Sequence, residues 1–186
     1  MTPSLRPTSP GRPTRLRPTR LVTPDDVPTL AALLTMNRTF LAPWEPLRDD
    51  DHFTVAGQRR LVEEQLADHA AGRCLPHVIV DEAGDVVGRI TLTSIVRGAF
   101  QSCSVGYWVG AASNGRGLAT AAVADITRVA FHDLGLHRIQ GDTLLHNAAS
   151  QRVLERNGFE RIGLAPRYLC IAGEWQDFAL YQVLAD

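Results

Sequence analysis

Apolar positions along this chain change their spacing twice, and the changes mark out its elements. Leu16 and Val22 flank a short extended run over residues 15–22, which predicts a first strand. Thr23-Pro-Asp-Asp26 reads as a helix entrance, with Thr23 as N-cap, Pro24 at the first helical position and two acids in the first turn. Leu30, Leu33 and Leu34 form the stripe of that helix, and a loop with Pro43 and Pro46 follows. Residues 53–71 predict a second helix on Val55, Leu61, Val62 and Leu66. The period then shortens. Residues 77–81 and 86–92 predict strands joined by the hairpin loop 82–85, and residues 102–110 a third strand. Residues 115–134 predict a helix with Ala119, Ala122, Val123, Ile126, Ala130 and Leu134 on its apolar face. A strand over 137–145 and a short helix over 148–156 follow, the helix capped by Asn147 and stopped at Asn157-Gly158. Residues 159–163, 168–171 and 175–184 finish as strands, the last two turned by Ala172-Gly173. Helices, an antiparallel meander and then a βαβ crossover define an α+β class with a mixed sheet.

Composition narrows this picture. At 186 residues, 45% hydrophobic and 21% charged, the chain has the size and mixture of one globular domain. Its start differs: Pro3, Pro7, Pro10, Pro13 and Pro18 alternate with Arg6, Arg12, Arg15, Arg17 and Arg20, and no acid precedes Asp25. That predicts a disordered Pro/Arg-rich tail over residues 1–13 and a single domain over 14–186. A formal charge of -1 argues against direct nucleic-acid reading. No apolar run approaches the roughly 18 residues of a membrane span, so no membrane partner is expected and the cytoplasm is the expected location. Cys74, Cys103 and Cys170 are odd in number and show no metal-ligand spacing, which predicts reduced thiols and no metal.

Candidate chemistry concentrates in Val109-Gly-Ala-Ala-Ser-Asn-Gly-Arg-Gly-Leu-Ala-Thr120, where a strand ends and a helix begins. Bare glycine backbone and the unpaired N–H groups of a first helical turn suit a diphosphate on Gly115, Gly117, Ala119 and Thr120, with Arg116 adding charge. Gly110-x4-Gly115 begins like an ATP-binding loop, but Arg116-Gly117 stands where Lys-Ser/Thr belongs. Gly115-x-Gly117-x-x-Thr120 lacks the third glycine of a dinucleotide turn and follows antiparallel strands. A coenzyme A diphosphate site remains, beside a plain glycine-rich turn.

Asn114-Gly-Arg-Gly-Leu-Ala119 resembles the Q/R-x-x-G-x-G/A acetyl-CoA signature of the GNAT N-acetyltransferases. Asn147-Ala-Ala-Ser150 with Asn157-Gly-Phe159 is similar to the N-x-x-S…N-G-F segment of their RimJ/RimL branch. The stretches 37–46, 96–100, 106–108 and 168–177 look like RimJ-type members in particular, and the match runs from about residue 15 to 184. Three departures stand out. Asn114 replaces Gln/Arg, Ser104 sits where many relatives carry Glu, and Gln176-Asp177-Phe178 where Arg-Asp-His is common.

The resemblance implies a mixed, mostly antiparallel sheet splayed at its fourth strand, with acetyl-CoA wedged into the split and the acetyl group passing directly to a primary amine. Tyr107, Trp108 and Val109 are then expected beside the pantetheine, Asn114, Gly115, Arg116, Gly117, Leu118, Ala119 and Thr120 around the diphosphate, and Asn147 on the amide chain. The implied acceptor is the α-amine of a protein or peptide such as a ribosomal protein, for a monomer or homodimer. A small amine such as an antibiotic or polyamine is the alternative acceptor, and a coenzyme A-binding module without turnover the alternative role. Ser150 is the candidate proton donor to the leaving sulfur, or a cap partner of Asn147; Glu45 is the candidate base or amine anchor, or a solvated loop carboxylate. Trp44, Arg97, Phe100 and Tyr168 are the expected acceptor-side residues, with Tyr168 and Tyr181 as alternative proton donors and His146 as a possible relay.

Overall fold

In the computed structural model, which describes residues 17–185, seven strands form one sheet. They are β1 (Thr19–Leu21), β2 (Leu75–Val80), β3 (Val86–Val96), β4 (Ser102–Val109), β5 (Arg138–Leu144), β6 (Glu160–Ile171) and β7 (Glu174–Leu184). The order across the sheet is β1-β2-β3-β4-β5-β7-β6. β4 and β5 run parallel, and every other neighbouring pair is antiparallel. The helices are α1 (Val27–Met36), α2 (Arg38–Leu41), α3 (Val55–Ala70), α4 (Leu118–Arg128) and α5 (Ala148–Arg156). The α+β class with a mixed, mostly antiparallel sheet is therefore the observed one. The tail expected over residues 1–13 lies outside the described residues.

Strand alternation divides the core into two layers. Val78 packs with Val22, Val27, Leu30 and Val62 beneath α1 and α3, whereas its neighbour Ile79 packs with Ile90, Val123, Ile126 and Leu154 beneath α4 and α5. α4 keeps Ala122, Val123 and Ile126 fully buried, and each large aliphatic side chain so placed contributes about 1.5–3 kcal/mol.

Several elements depart from their expected bounds for local reasons. The first helix opens with a single 3₁₀ turn, Pro24–Asp26, before α1. There the Asp26 carboxylate accepts from the Thr23 N–H (2.8 Å) and hydroxyl (3.0 Å) and pairs with both Arg20 terminal nitrogens at 2.7 Å. The expected loop after α1 contains α2 and the 3₁₀ turns Ala42–Trp44 and Asp50–Phe53. The helix expected from residue 115 begins at Leu118, because Gly115 and Gly117 adopt φ of 76° and 79°. It stops at Arg128 and continues as a π turn, Val129–Asp133, closed by Leu134 N–H donating to the Val129 carbonyl. The two strands expected over 159–171 are one strand, β6, whose pairing with β7 breaks register twice.

Candidate active site

The parallel pair opens into a cleft. β4 and β5 pair from Ser102↔Arg138 to Val105↔Gly141, and there the ladder ends, leaving residues 106–109 and 142–144 unpaired with each other. This is the splay at the fourth strand, and it frees backbone and side chains at mid-sheet.

At the mouth of the split lies the entrance of α4. Among the described residues, the backbone N–H groups of residues 115–120 find no acceptor, since the first bonded one is Ala121 N–H on the Gly117 carbonyl (3.0 Å). A Cβ added at Gly115 or Gly117 would meet nothing within 4 Å, so the turn is open on the side its glycines present. The turn is braced from behind. Asn114 donates its N–H to the Ala111 carbonyl (3.2 Å) and its Nδ2 to the Val109 and Gly110 carbonyls (3.2 and 3.3 Å). Buried Asn37 accepts from the Ala111 N–H (2.8 Å) and donates to the Leu33 carbonyl (2.8 Å), tying α1 to the same loop. Both donors of Asn114 are thus committed inside the turn. Half-exposed Arg116 has only a 3.9 Å approach to Asp81. Six amides without a partner, three in the glycine turn and three in the first turn of α4 at the positive end of that helix, fit a diphosphate.

Through the split the cleft widens into a chamber of about 550 Å³. Tyr107, Trp108, Asn147 and Ser150 line it with Trp44 and Glu45. Asn147 Oδ1 accepts the Ser150 N–H (3.0 Å), capping α5, and this sets the Ser150 hydroxyl 2.9 Å from the Tyr107 hydroxyl. Burial pushes the Tyr107 phenol up to about 12 against the opposing Ser150 bond, so it keeps its proton. Burial likewise raises the Glu45 carboxyl, with Arg48 pulling the other way. The Glu45 segment is held in place: its carbonyl accepts the Ala172 N–H (2.9 Å), and the Trp44 ring lies 5.5 Å from that of His146.

Two expected acceptor-side residues do not join the chamber. Arg97 donates to the Leu134 carbonyl (2.6 Å), and exposed Phe100 lies under the Arg138 guanidinium. Both sit in the β3–β4 connection, at the closed end of the β4–β5 pair, away from the split. Tyr168 reaches the site through a neighbour, its hydroxyl donating to Asp142 Oδ2 at 3.4 Å. Tyr181, a core residue beneath α5, instead donates to exposed Glu155 (3.4 Å). Val109 is buried in the core, and Leu118, Ala119 and Thr120 offer the site their backbone.

Sequence reasoning overlooked Asp142, His52, Arg89 and Gln65, which also line the chamber. Asp142 is raised by burial, with bonds from Gln140 (3.0–3.1 Å) and Tyr168 opposing. Its signal was present, since Gln140 and Asp142 alternate with apolar residues along one strand. Arg89 is a charge inside the apolar run Val86–Leu92.

Comparison with known proteins supplies the family. Residues 15–160 match the acetyltransferase (GNAT) domain. The chain is 37% identical over 154 residues to the probable N-acetyltransferase YjcK of Bacillus subtilis, covering 82% of this chain and 83% of that one. It is 34% identical over 162 residues to the [ribosomal protein uS5]-alanine N-acetyltransferase of Escherichia coli, covering 87% and 84%. Mycobacterium smegmatis RimJ in complex with CoA-disulfide superposes with a TM-score of 0.86 at 33% identity, over 90% of this chain and 81% of that one. The split sheet and its amide-lined helix entrance therefore belong to an acetyl-CoA-dependent N-acetyltransferase, and this chain is a member of the GNAT acetyltransferase family.

Proposed function

We propose that this enzyme acetylates the N-terminal α-amine of a protein or peptide, with a ribosomal protein as the acceptor, in the cytoplasm and as a monomer or homodimer. The observation that carries the reading is the chamber itself, which puts two burial-raised carboxyls, Glu45 and Asp142, beyond a split whose other end offers six free amides. The uS5-alanine acetyltransferase among its relatives supports this acceptor class. No helix of the described residues is long and apolar enough to cross a membrane.

The chemistry asks little of the side chains. An α-amine with a pKa near 7.7–8.0 is about one-tenth neutral at pH 7, whereas a lysine near 10.4 is neutral in fewer than about one molecule in a thousand. Acetyl-CoA supplies a thioester carbonyl and a thiol with a pKa near 8.5, an easy leaving group. The residue 115–120 amides hold its diphosphate, and Asn147 and the free edge of β4 flank its pantetheine. Glu45 takes the proton from the amine as the nitrogen–carbon bond forms. Ser150 gives its hydroxyl proton to the sulfur as the carbon–sulfur bond breaks, and Tyr107 replenishes it across their 2.9 Å contact.

The test is thiol release from acetyl-CoA with an amine panel: peptides with free Ala or Ser termini, an N-blocked lysine peptide, and polyamines. Peptide termini should turn over at least tenfold faster in kcat/KM than the other amines. Release confined to polyamines would transfer the assignment to small-molecule acetylation.

A further inference from the structure

Arg89 is an unusual occupant of the chamber wall. It lies on β3 between Val78 and Trp108 of the flanking strands, on the face covered by α1 and α3, and is only 8% exposed. Its Nε and Nη2 are buried and meet no hydrogen-bond acceptor among the described residues. These two nitrogens form the side-on fork that takes a carboxylate with two parallel bonds. Burial pulls the guanidinium down to about 10, which still leaves it charged at neutral pH.

Of the four acids that line the chamber, Glu45 makes no side-chain hydrogen bond to Arg89 or to any other described residue, and the other three are engaged elsewhere. Asp51 is paired with Arg60, Asp49 caps the turn at the His52 N–H, and Asp142 accepts two bonds from Gln140 and one from Tyr168. Asp26, outside the chamber, favours the Arg89 cation but is bound by both terminal nitrogens of Arg20. On the facing helix α3, Gln65 lines the same chamber, and its buried Oε1 has no donor. Arg89 and Gln65 thus both line one chamber, and the arginine's two buried nitrogens and the glutamine's buried oxygen lie behind its surface without partners. A buried charge in that state is costly unless something completes it.

We propose that Arg89 is the base of a carboxylate subsite in the acceptor chamber, so that preferred amines carry a carboxylate. Two sources fit this chemistry: an acidic side chain following the acetylated residue of a peptide, and the α-carboxylate of a free amino acid. Gln65 Oε1 accepts the N–H that accompanies either. The inference rests on the transferase reading above for its acceptor side.

Thiol release with matched pairs reads the preference: peptides beginning Ala-Glu against Ala-Gln, and free alanine against alaninamide. One carboxylate member should exceed its amide partner by about tenfold or more in kcat/KM, and the winning pair identifies the source. In Arg89→Met that ratio falls to near one. Arg89→Lys, which keeps charge without the fork, gives an intermediate ratio and serves alone if the Met variant does not fold. Calorimetric titration of the same four acceptors into coenzyme A-loaded protein reads the preference without turnover. If no amine is acetylated, the transferase reading fails, while the subsite still stands or falls on the titration. A wild-type ratio near one in both assays, or a ratio unmoved by either substitution, overturns the subsite.

Discussion

Ser150 meets Tyr107 through its hydroxyl and its carbonyl and Asn147 through its N–H, and the hydroxyl and N–H bonds explain each other. Its N–H is spent on the Asn147 cap, which fixes the first turn of α5, and that turn delivers its hydroxyl to Tyr107. Cap and candidate catalyst, opposed as readings of the bare sequence, are thus one arrangement. Because the two hydroxyls form one proton route, their effects should not add. Ser150→Ala should lower kcat by about 10² and Tyr107→Phe by somewhat less, with the double variant no worse than Ser150→Ala alone. Single-turnover thiol release measures this, and strictly multiplicative losses would separate the two residues. Glu45 tests the other proton. Glu45→Gln should lower kcat/KM for peptide acceptors by about 10², and, since burial raises this carboxyl, the wild-type acid limb should lie above the ordinary glutamate range and disappear in the variant. A pH–rate profile with an identical acid limb in both proteins would exclude Glu45 as the proton acceptor.

At the scale of elements, the entrance of α4 shows what local pattern conveys. The glycine-rich turn, the helix after it and the cap at Asn147 are readable because each is decided by neighbouring residues. The start of α4 is displaced by three residues because glycine spacing alone does not say that Gly115 and Gly117 take left-handed backbone. Those angles aim the amides. Gly117→Ala meets no steric contact, but must hold φ at 79° against a strain of about 1–2 kcal/mol per residue. Relaxation would turn amides away from the diphosphate, each charged bond being worth about 1.5–3 kcal/mol. The expected result is an acetyl-CoA Kd about tenfold weaker by calorimetry, with kcat at saturation changed far less. An unaltered Kd would remove these amides from the binding site. The pattern divided β6 into two pieces, 159–163 and 168–171, because two register breaks interrupt the alternation that sequence reading follows.

Over the whole molecule, what remained illegible is what distant segments make together. The splay could be stated only from family resemblance, since nothing in β4 or β5 alone says where their ladder stops. Asp142 and Arg89 acquire meaning only when α3, the Trp44 segment and β5 enclose one chamber. A second long-range arrangement joins β1, β2 and α4. Thr19 donates its hydroxyl to Asp125 Oδ2 (2.7 Å), and having one proton it accepts from His77 Nδ1–H (3.0 Å). Arg17 closes the chain on Asp125 at 3.2 Å. Burial pushes the His77 imidazole down to about 4, Asp125 opposing, with Arg17 and His69 adding smaller repulsions. The unfolded chain, with histidine near 6.5, therefore binds this proton more readily than the folded one between those two values. Stability from this site is complete above pH 6.5 and drains as pH falls towards 4, by about 3 kcal/mol at the lower limit. Raised carboxyls such as Glu45 and Asp142 act in the opposite sense, so the contribution is isolated by comparing proteins. His77→Gln keeps a donor for Thr19 but cannot titrate. Urea unfolding at pH 7 and pH 4 should show wild type losing about 3 kcal/mol more than the variant, and equal losses in the two proteins would place the acid sensitivity of the fold elsewhere.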